Sequence, residues 1–177
     1  KFQTFKAKNL VLPGTRKVKY QLKNLDDKED HYQMIKKLEL SYKDHKILFK
    51  YCKKKKIDFL STPYDVESAK FLKKLGVKLF KTASADLIDY NLHKYLAKLK
   101  KPVIISTGMS TVNDVRRTIN IYKKYKNLNI SLLHCVSNYP CSLKSINLKA
   151  IQLLKKFKFV VGYSDHSKDN LASCLAV

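Results

Sequence analysis

Six short β-rich runs recur along the chain, each followed by an amphipathic stretch, and this alternation restricts the fold more than any other feature. The runs are KFQTF (1–5), IDFLSTPY (57–64), KLFKTAS (78–84), PVIISTG (102–108), ISLLHCVSNYP (130–140) and FVVGYSDH (159–166). Between them, apolar residues return at helical spacing over about 41–56, 66–75, 86–100, 111–126, 144–157 and from 168 onward. From the third run on, successive runs start 20–30 residues apart, the size of a βα unit. Right-handed crossovers make such strands parallel, which gives an α/β fold with a parallel sheet. Ser41 with Asp44, and Ser110 or Thr111, are the expected helix caps. The long polar segment 6–40 carries a Pro13-Gly14 turn and a short helix at 31–38, and loops of this kind after a strand are often functional.

Composition narrows the field. A chain of 177 residues with 45% hydrophobic content can bury one real core. No apolar run approaches the ~20 residues of a membrane helix, and no secretory signal opens the chain, so no membrane partner is expected. The chain has no initiator methionine and stops inside LASCLAV, so it reads as an internal fragment. The net charge of +23 invites a nucleic-acid reading. Only three of the 37 basic residues are arginine, however, and the lysines crowd the polar faces of helices, as in KYCKKKKID. Phosphate and base recognition favours the arginine fork, so solvated lysine faces are expected and nucleic acid is not. Cys52, Cys135, Cys141 and Cys174 show no C-x-x-C pair, and all are expected as reduced thiols in buried strand or helix, in a cytoplasmic protein.

The ends of the strands carry the chemistry. Alternation places Lys1 with Gln3, Thr62 with Leu60, Ser106 with Ile104, Ser137 with Cys135 and Leu133, and Ser164 and His166 with Gly162. Lys81 lies inside an apolar strand, with Ser84 and Asp86 just beyond it. Several strands therefore bring small polar or charged groups to their carboxyl ends, where parallel α/β folds bind ligands. Two intrastrand lysines make sense facing an anion, and five hydroxyls can donate to phosphate or carboxylate oxygens. Gly108 allows close backbone approach, and His166 can hold a metal or move a proton. No phosphate loop or dinucleotide fingerprint is present. His134 reads as packing against a helix, and His31, His45 and His93 as surface residues.

Taken in order, KFQTF, FLSTPYD, LFKTASAD, PVIISTGMS, LLHCVSNYP and VGYSDH strongly resemble the sialic acid synthase family over the whole chain. The resemblance implies a (β/α)8 TIM barrel, here as an incomplete arc of about six βα units. These would be strands two to seven, without the first strand, the eighth or the C-terminal antifreeze-like domain. It implies a transferase that condenses phosphoenolpyruvate with an N-acetylmannosamine-type sugar, forming a nonulosonic acid and phosphate. A diacetamido-trideoxy sugar of the legionaminic or pseudaminic kind is the alternative. It also implies a divalent metal, Mn2+ or Mg2+, and a homodimer of the full-length protein. By the same resemblance Lys1, Lys81, Thr62, Ser84, Ser106, Ser137 and Ser164 hold phosphoenolpyruvate, and Gln3 and Tyr139 contact the sugar. Asp86 lies near the reacting carbons, His166 is a metal ligand, and Asp165 is its neighbour. The chain departs from the family pattern at Ala85, where relatives commonly have glycine, and at Val136, where they often have a hydroxyl. Outside the family, a Schiff-base aldolase using Lys81 and a basic nucleic-acid module are the competing readings.

Overall fold

A computed structural model describes residues 1–18, 21, 29–168 and 170–176. All six β-rich runs form strands, each shorter than its run, and the chain divides into two compact units, Lys1–Val77 and Lys78–Val177.

In the first unit β1 (Phe2–Thr4) pairs in parallel with β2 (Ser61–Pro63), with Gln3 opposite Thr62. Among the described residues its helices are α1 (Ala7–Leu10), α2 (His31–Lys37), α3 (Tyr42–Lys54) and α4 (Val66–Leu75). The one-turn helix α1 is not legible in the sequence, because four residues carry no helical period. Residues 19, 20 and 22–28 of the long polar segment lie outside the described residues. Ser41 caps α3 by accepting from the Asp44 N–H at 3.1 Å, as the sequence suggests.

His45 is not a surface residue. It is fully buried, on the inner stripe of α3 with Tyr42, Phe49 and Cys52. Its ring is edge-on to Phe71, and its nitrogens are satisfied by the Ser41 carbonyl at 2.9 Å and the Thr4 hydroxyl at 2.8 Å. Thr4 in turn lies 2.7 Å from Ser61 Oγ, so a buried hydroxyl-imidazole chain ties α3 to both strands.

In the second unit β3 (Phe80–Thr82), β4 (Val103–Ser106), β5 (Ile130–His134) and β6 (Val160–Tyr163) form one parallel sheet in chain order. The helices are α5 (Tyr90–Lys98), α6 (Val112–Lys124), α7 (Ala150–Lys155) and α8 (Leu171–Leu175). Single 3-10 turns stand at Ser84–Asp86 and Leu143–Ser145. Thr111 is the cap of α6 and forms a full capping box with Asp114. One face of the sheet is dry: Phe80, Val103, Ile105, Ile130 and Leu132 are all buried, as are Leu92, Leu96, Val115, Ile119 and Ile151 of the helices. The other face reads across the register as Lys81, Ile104, Ser131 and Val160, then Ser106, Leu133 and Gly162. That second face carries the polar groups, so the strand alternation expected from the sequence is what positions them.

His93 is also fully buried, not exposed. It shares the apolar stripe of α5 with Leu92, Leu96 and Ala97, and its Nδ1 lies 2.9 Å from the Tyr122 hydroxyl of α6. Polar flanking residues make both histidines look solvated, whereas their helical phase places them inside. The cysteines are all free, but Cys174 is exposed, Cys52 is only partly buried, and Cys141 is buried in a loop. The fold class is α/β, with every strand pair among the described residues parallel. Among the described residues no helix is long and apolar enough to cross a membrane.

Candidate functional site

The second unit gathers polar side chains at the carboxyl ends of β3, β4 and β5. Lys81 points from β3 toward β4 and donates to Ser106 Oγ at 2.6 Å. Ser106 is buried, so the ammonium is held by a hydroxyl that carries a proton of its own. Beyond β3, Ser84 opens the 3-10 turn, and its Oγ accepts from the Gly108 N–H at 3.0 Å. Cys135 Sγ lies 2.9 Å from the same Oγ. A methyl group on Gly108 would stand 2.6 Å from Ser137 Oγ, so Ser84, Cys135 and Ser137 all converge on this glycine. Three side chains of the chain itself fill the space of the missing Cβ.

A second group forms around β6. His166 Nδ1 donates to the Val136 carbonyl at 2.6 Å, which fixes the tautomer and leaves the Nε2 lone pair outward. The Tyr139 hydroxyl lies 3.1 Å from that Nε2, and the two rings stack with centroids 4.1 Å apart. Ser164 follows β6, is partly buried, and its N–H extends the sheet to the His134 carbonyl at 2.8 Å. His134 does pack as the sequence suggests, with Nε2 at 2.6 Å from the Ile146 carbonyl.

Asp165 does not serve as a hydrogen-bonded neighbour of His166. Its carboxylate accepts from Ser173 Oγ at 2.6 Å, the Ser167 N–H at 2.8 Å and the Tyr163 hydroxyl at 3.3 Å. These bonds, led by Ser173, hold its acidity at about 2. Asp165 therefore pins the turn from β6 into α8. Tyr163 moves the other way, up to about 12, through burial and then the Asp165 charge.

Asp86 ends the 3-10 turn after β3 and is partly buried. Ala85 is exposed, and it is absent from the residues with left-handed backbone, so this turn does not require glycine there. In the first unit Lys1 and Gln3 are exposed, Gln3 donating to the Tyr64 hydroxyl at 2.9 Å, while Thr62 is buried within β2.

Comparison with known proteins decides the family. The NeuB family model matches residues 1–177. The chain belongs to the NeuB family. This NeuB-family chain is 45% identical to the N,N'-diacetyllegionaminic acid synthase of Campylobacter jejuni, over 100% of its own length and 54% of that protein. It is 43% identical to the synthase of the same name from Legionella pneumophila, over 100% of its length and 51% of that protein. The NeuB-family chain thus spans about half the length of the curated relatives it matches. A crystal structure of the N-acetylneuraminic acid synthetase of Leptospira borgpetersenii superposes with a TM-score of 0.80 at 37% identity, covering 89% of this chain and 55% of that one.

Sequence reasoning missed two members of the site. Alternation puts Cys135 on the face of Ser137, but its contact with Ser84 crosses between strands and needs the register. The Val136 carbonyl that orients His166 is main chain and leaves no trace in side-chain patterns. The described residues include no group of three or more His, Cys, Asp or Glu able to hold a metal ion. His166 Nε2 has the tautomer that one metal ligand needs.

Proposed function

We propose that the full-length protein condenses phosphoenolpyruvate with the open-chain aldehyde of an N-acetylated amino sugar, releasing phosphate and forming a nonulosonic acid. The observation that carries this reading is the cluster of Lys81, Ser106, Ser84 and Ser137 at neighbouring strand ends in a NeuB-family chain. Both synthases named above act in legionaminic acid formation by name, which favours a diacetamido-trideoxy sugar over N-acetylmannosamine. In this proposal the chain supplies barrel strands two to seven. The first and eighth strands and an antifreeze-like domain belong to the rest of the protein, which acts as a cytoplasmic homodimer.

The residues divide the work by their chemistry. Phosphoenolpyruvate carries a phosphate and a carboxylate. Lys81 supplies positive charge, and because it donates to Ser106, the Ser106 proton is free to point at the anion. Ser84, Ser137 and Ser164 add hydroxyl donors. Donors fixed before the substrate arrives need no reorganisation when charge develops on the departing phosphate. Asp86, beside the Ser84 turn, is the group for proton transfer at the reacting carbons. Tyr139 contacts the sugar. A divalent ion, Mn2+ or Mg2+, held in part by His166 Nε2, would supply Lewis acidity toward a carbonyl oxygen.

The test follows phosphate release from phosphoenolpyruvate by the full-length protein with Mn2+. N-acetylmannosamine and a 2,4-diacetamido-6-deoxy analogue are offered in parallel. Release with the diacetamido sugar, lost with Asp86→Asn, is the expected result. Release with neither sugar from folded, metal-supplemented protein would overturn it.

A further inference from the structure

Gly108 follows β4 directly after Thr107, whose N–H and hydroxyl both donate to the Leu133 carbonyl, at 2.9 and 3.0 Å. The backbone is therefore anchored to β5 at this point. Gly108 is buried, and its φ lies outside the left-handed region that favours glycine. Conformation does not demand glycine here; space does. The three atoms nearest the place a methyl group would take are Ser137 Oγ at 2.6 Å, Cys135 Sγ at 2.9 Å and Ser84 Oγ at 2.9 Å. Each is the last atom of a short side chain. A methyl group would be accommodated by turning these groups about χ1 and not by moving a strand, so its effect falls on their direction.

Direction matters most for Ser84. A hydroxyl has one proton and two lone pairs. The Gly108 N–H occupies one lone pair, at 3.0 Å. Cys135 Sγ, at 2.9 Å, is the other close neighbour, and either atom of that pair can be the donor. A thiol is a weak donor and a weak acceptor. A phosphate or carboxylate oxygen is a far better acceptor than sulfur, so a bound anion takes the Ser84 proton. The thiol then turns its S–H toward the second lone pair. Both acceptor sites of Ser84 are filled from behind, and its only proton faces the ligand.

We propose that Gly108 and Cys135 are positioning residues that occupy the acceptor side of the Ser84 hydroxyl and thereby aim its proton at the bound anion. This rests on the anion-binding reading of the preceding section. Neither residue touches the substrate; both act through Ser84. Serine at position 135 would keep the donor, and alanine would remove it.

The experiment uses the full-length protein and two readouts, calorimetric binding of inorganic phosphate and the KM for phosphoenolpyruvate. Gly108→Ala is expected to weaken phosphate binding roughly tenfold and to raise KM in parallel, as loss of one charge-assisted hydrogen bond would. In a Ser84→Ala background the same change is expected to have little further effect, because the group it misdirects is gone. Cys135→Ala is expected to weaken binding about threefold, with Cys135→Ser restoring it. Cys135→Ser behaving like Cys135→Ala would overturn the proposal even if Gly108→Ala failed to fold. So would wild-type phosphate affinity in folded Gly108→Ala, or a wild-type protein that binds no phosphate. Phosphate binding that follows these expectations in a protein that turns over neither sugar would leave the proposal standing and remove the reaction.

Discussion

Lys81 Nζ lies 2.6 Å from Ser106 Oγ across the β3–β4 pair, with Lys81 opposite Ile104 in the register. The serine thus sits two residues further along its strand, on the same face, where the extended lysine reaches it. A lysine that donates to a neighbouring hydroxyl oxygen is suited to holding an anion and poorly suited to forming an imine. Ser106→Ala should raise the KM for phosphoenolpyruvate roughly tenfold with a smaller change in kcat, the loss of one charge-assisted bond. Steady-state phosphate release by the full-length protein measures the split. Borohydride with a carbonyl substrate should trap no adduct on Lys81, and a trapped adduct would restore the Schiff-base reading.

Tyr139 and His166 make a second testable pair. The Val136 carbonyl fixes His166 with Nε2 outward, and the Tyr139 hydroxyl shares that nitrogen at 3.1 Å. If Nε2 is a metal ligand, His166→Ala in the full-length protein should weaken Mn2+ binding by at least about tenfold, the scale seen when a ligand or its support is lost. Electron paramagnetic resonance of free Mn2+ in a titration reads this without any turnover. Tyr139→Phe should bind Mn2+ at least as tightly as wild type, since it removes a competitor for the lone pair. Unchanged Mn2+ affinity in His166→Ala would dismiss the imidazole as a ligand.

Much of this was legible because strands and helices have different periods. All six strands, and the helices at 66–75 and 111–126, fall where alternation and helical spacing put them. The same rule put Ser106 on the face of Ile104, and the register aligns Ile104 with Lys81. It failed for His45 and His93, because a polar residue name outweighed its phase: both lie on inner stripes and find hydroxyl partners there. It also could not see contacts that depend on register between strands, as in the approach of Ser84 to Cys135, or on main-chain groups, as in the bond from His166 to Val136.

Among the described residues, four lysines at helix ends occupy backbone positions that suit glycine. Lys56, Lys100, Lys126 and Lys158 follow helices with φ of 56°, 55°, 52° and 60°, where α4 ends instead on Gly76 at 93°. A side chain in that region costs about 1–2 kcal/mol, while glycine loses about 0.5–1 kcal/mol more chain entropy on folding. Each Lys→Gly change should therefore stabilise by about 0.5–1 kcal/mol. The four sites end four different helices and should add. Urea midpoints of the single and quadruple variants measure this, and a quadruple variant no more stable than wild type would contradict it.

His93 should make the fold sensitive to mild acid. Burial pushes its acidity down to about 4 from the ordinary 6.5, against smaller opposing contributions from the Asp86 backbone and the Asp89 charge. The folded protein keeps the ring neutral, while the unfolded chain protonates it near pH 6.5. Between those values the unfolded state binds the extra proton, so stability is complete above about 6.5 and falls as pH drops toward 4. The full window amounts to about 3 kcal/mol. Glu39 and Asp165, both held at about 2, act with the same sign but in a lower range, as pH falls from the usual carboxylate values toward 2. His93→Gln should lower stability at about pH 7.5, through the lost contact with Tyr122, yet flatten its decline between about pH 6.5 and 5. Urea unfolding at three pH values in that range reads the slope, and an equal slope in the variant would show that another group carries the dependence.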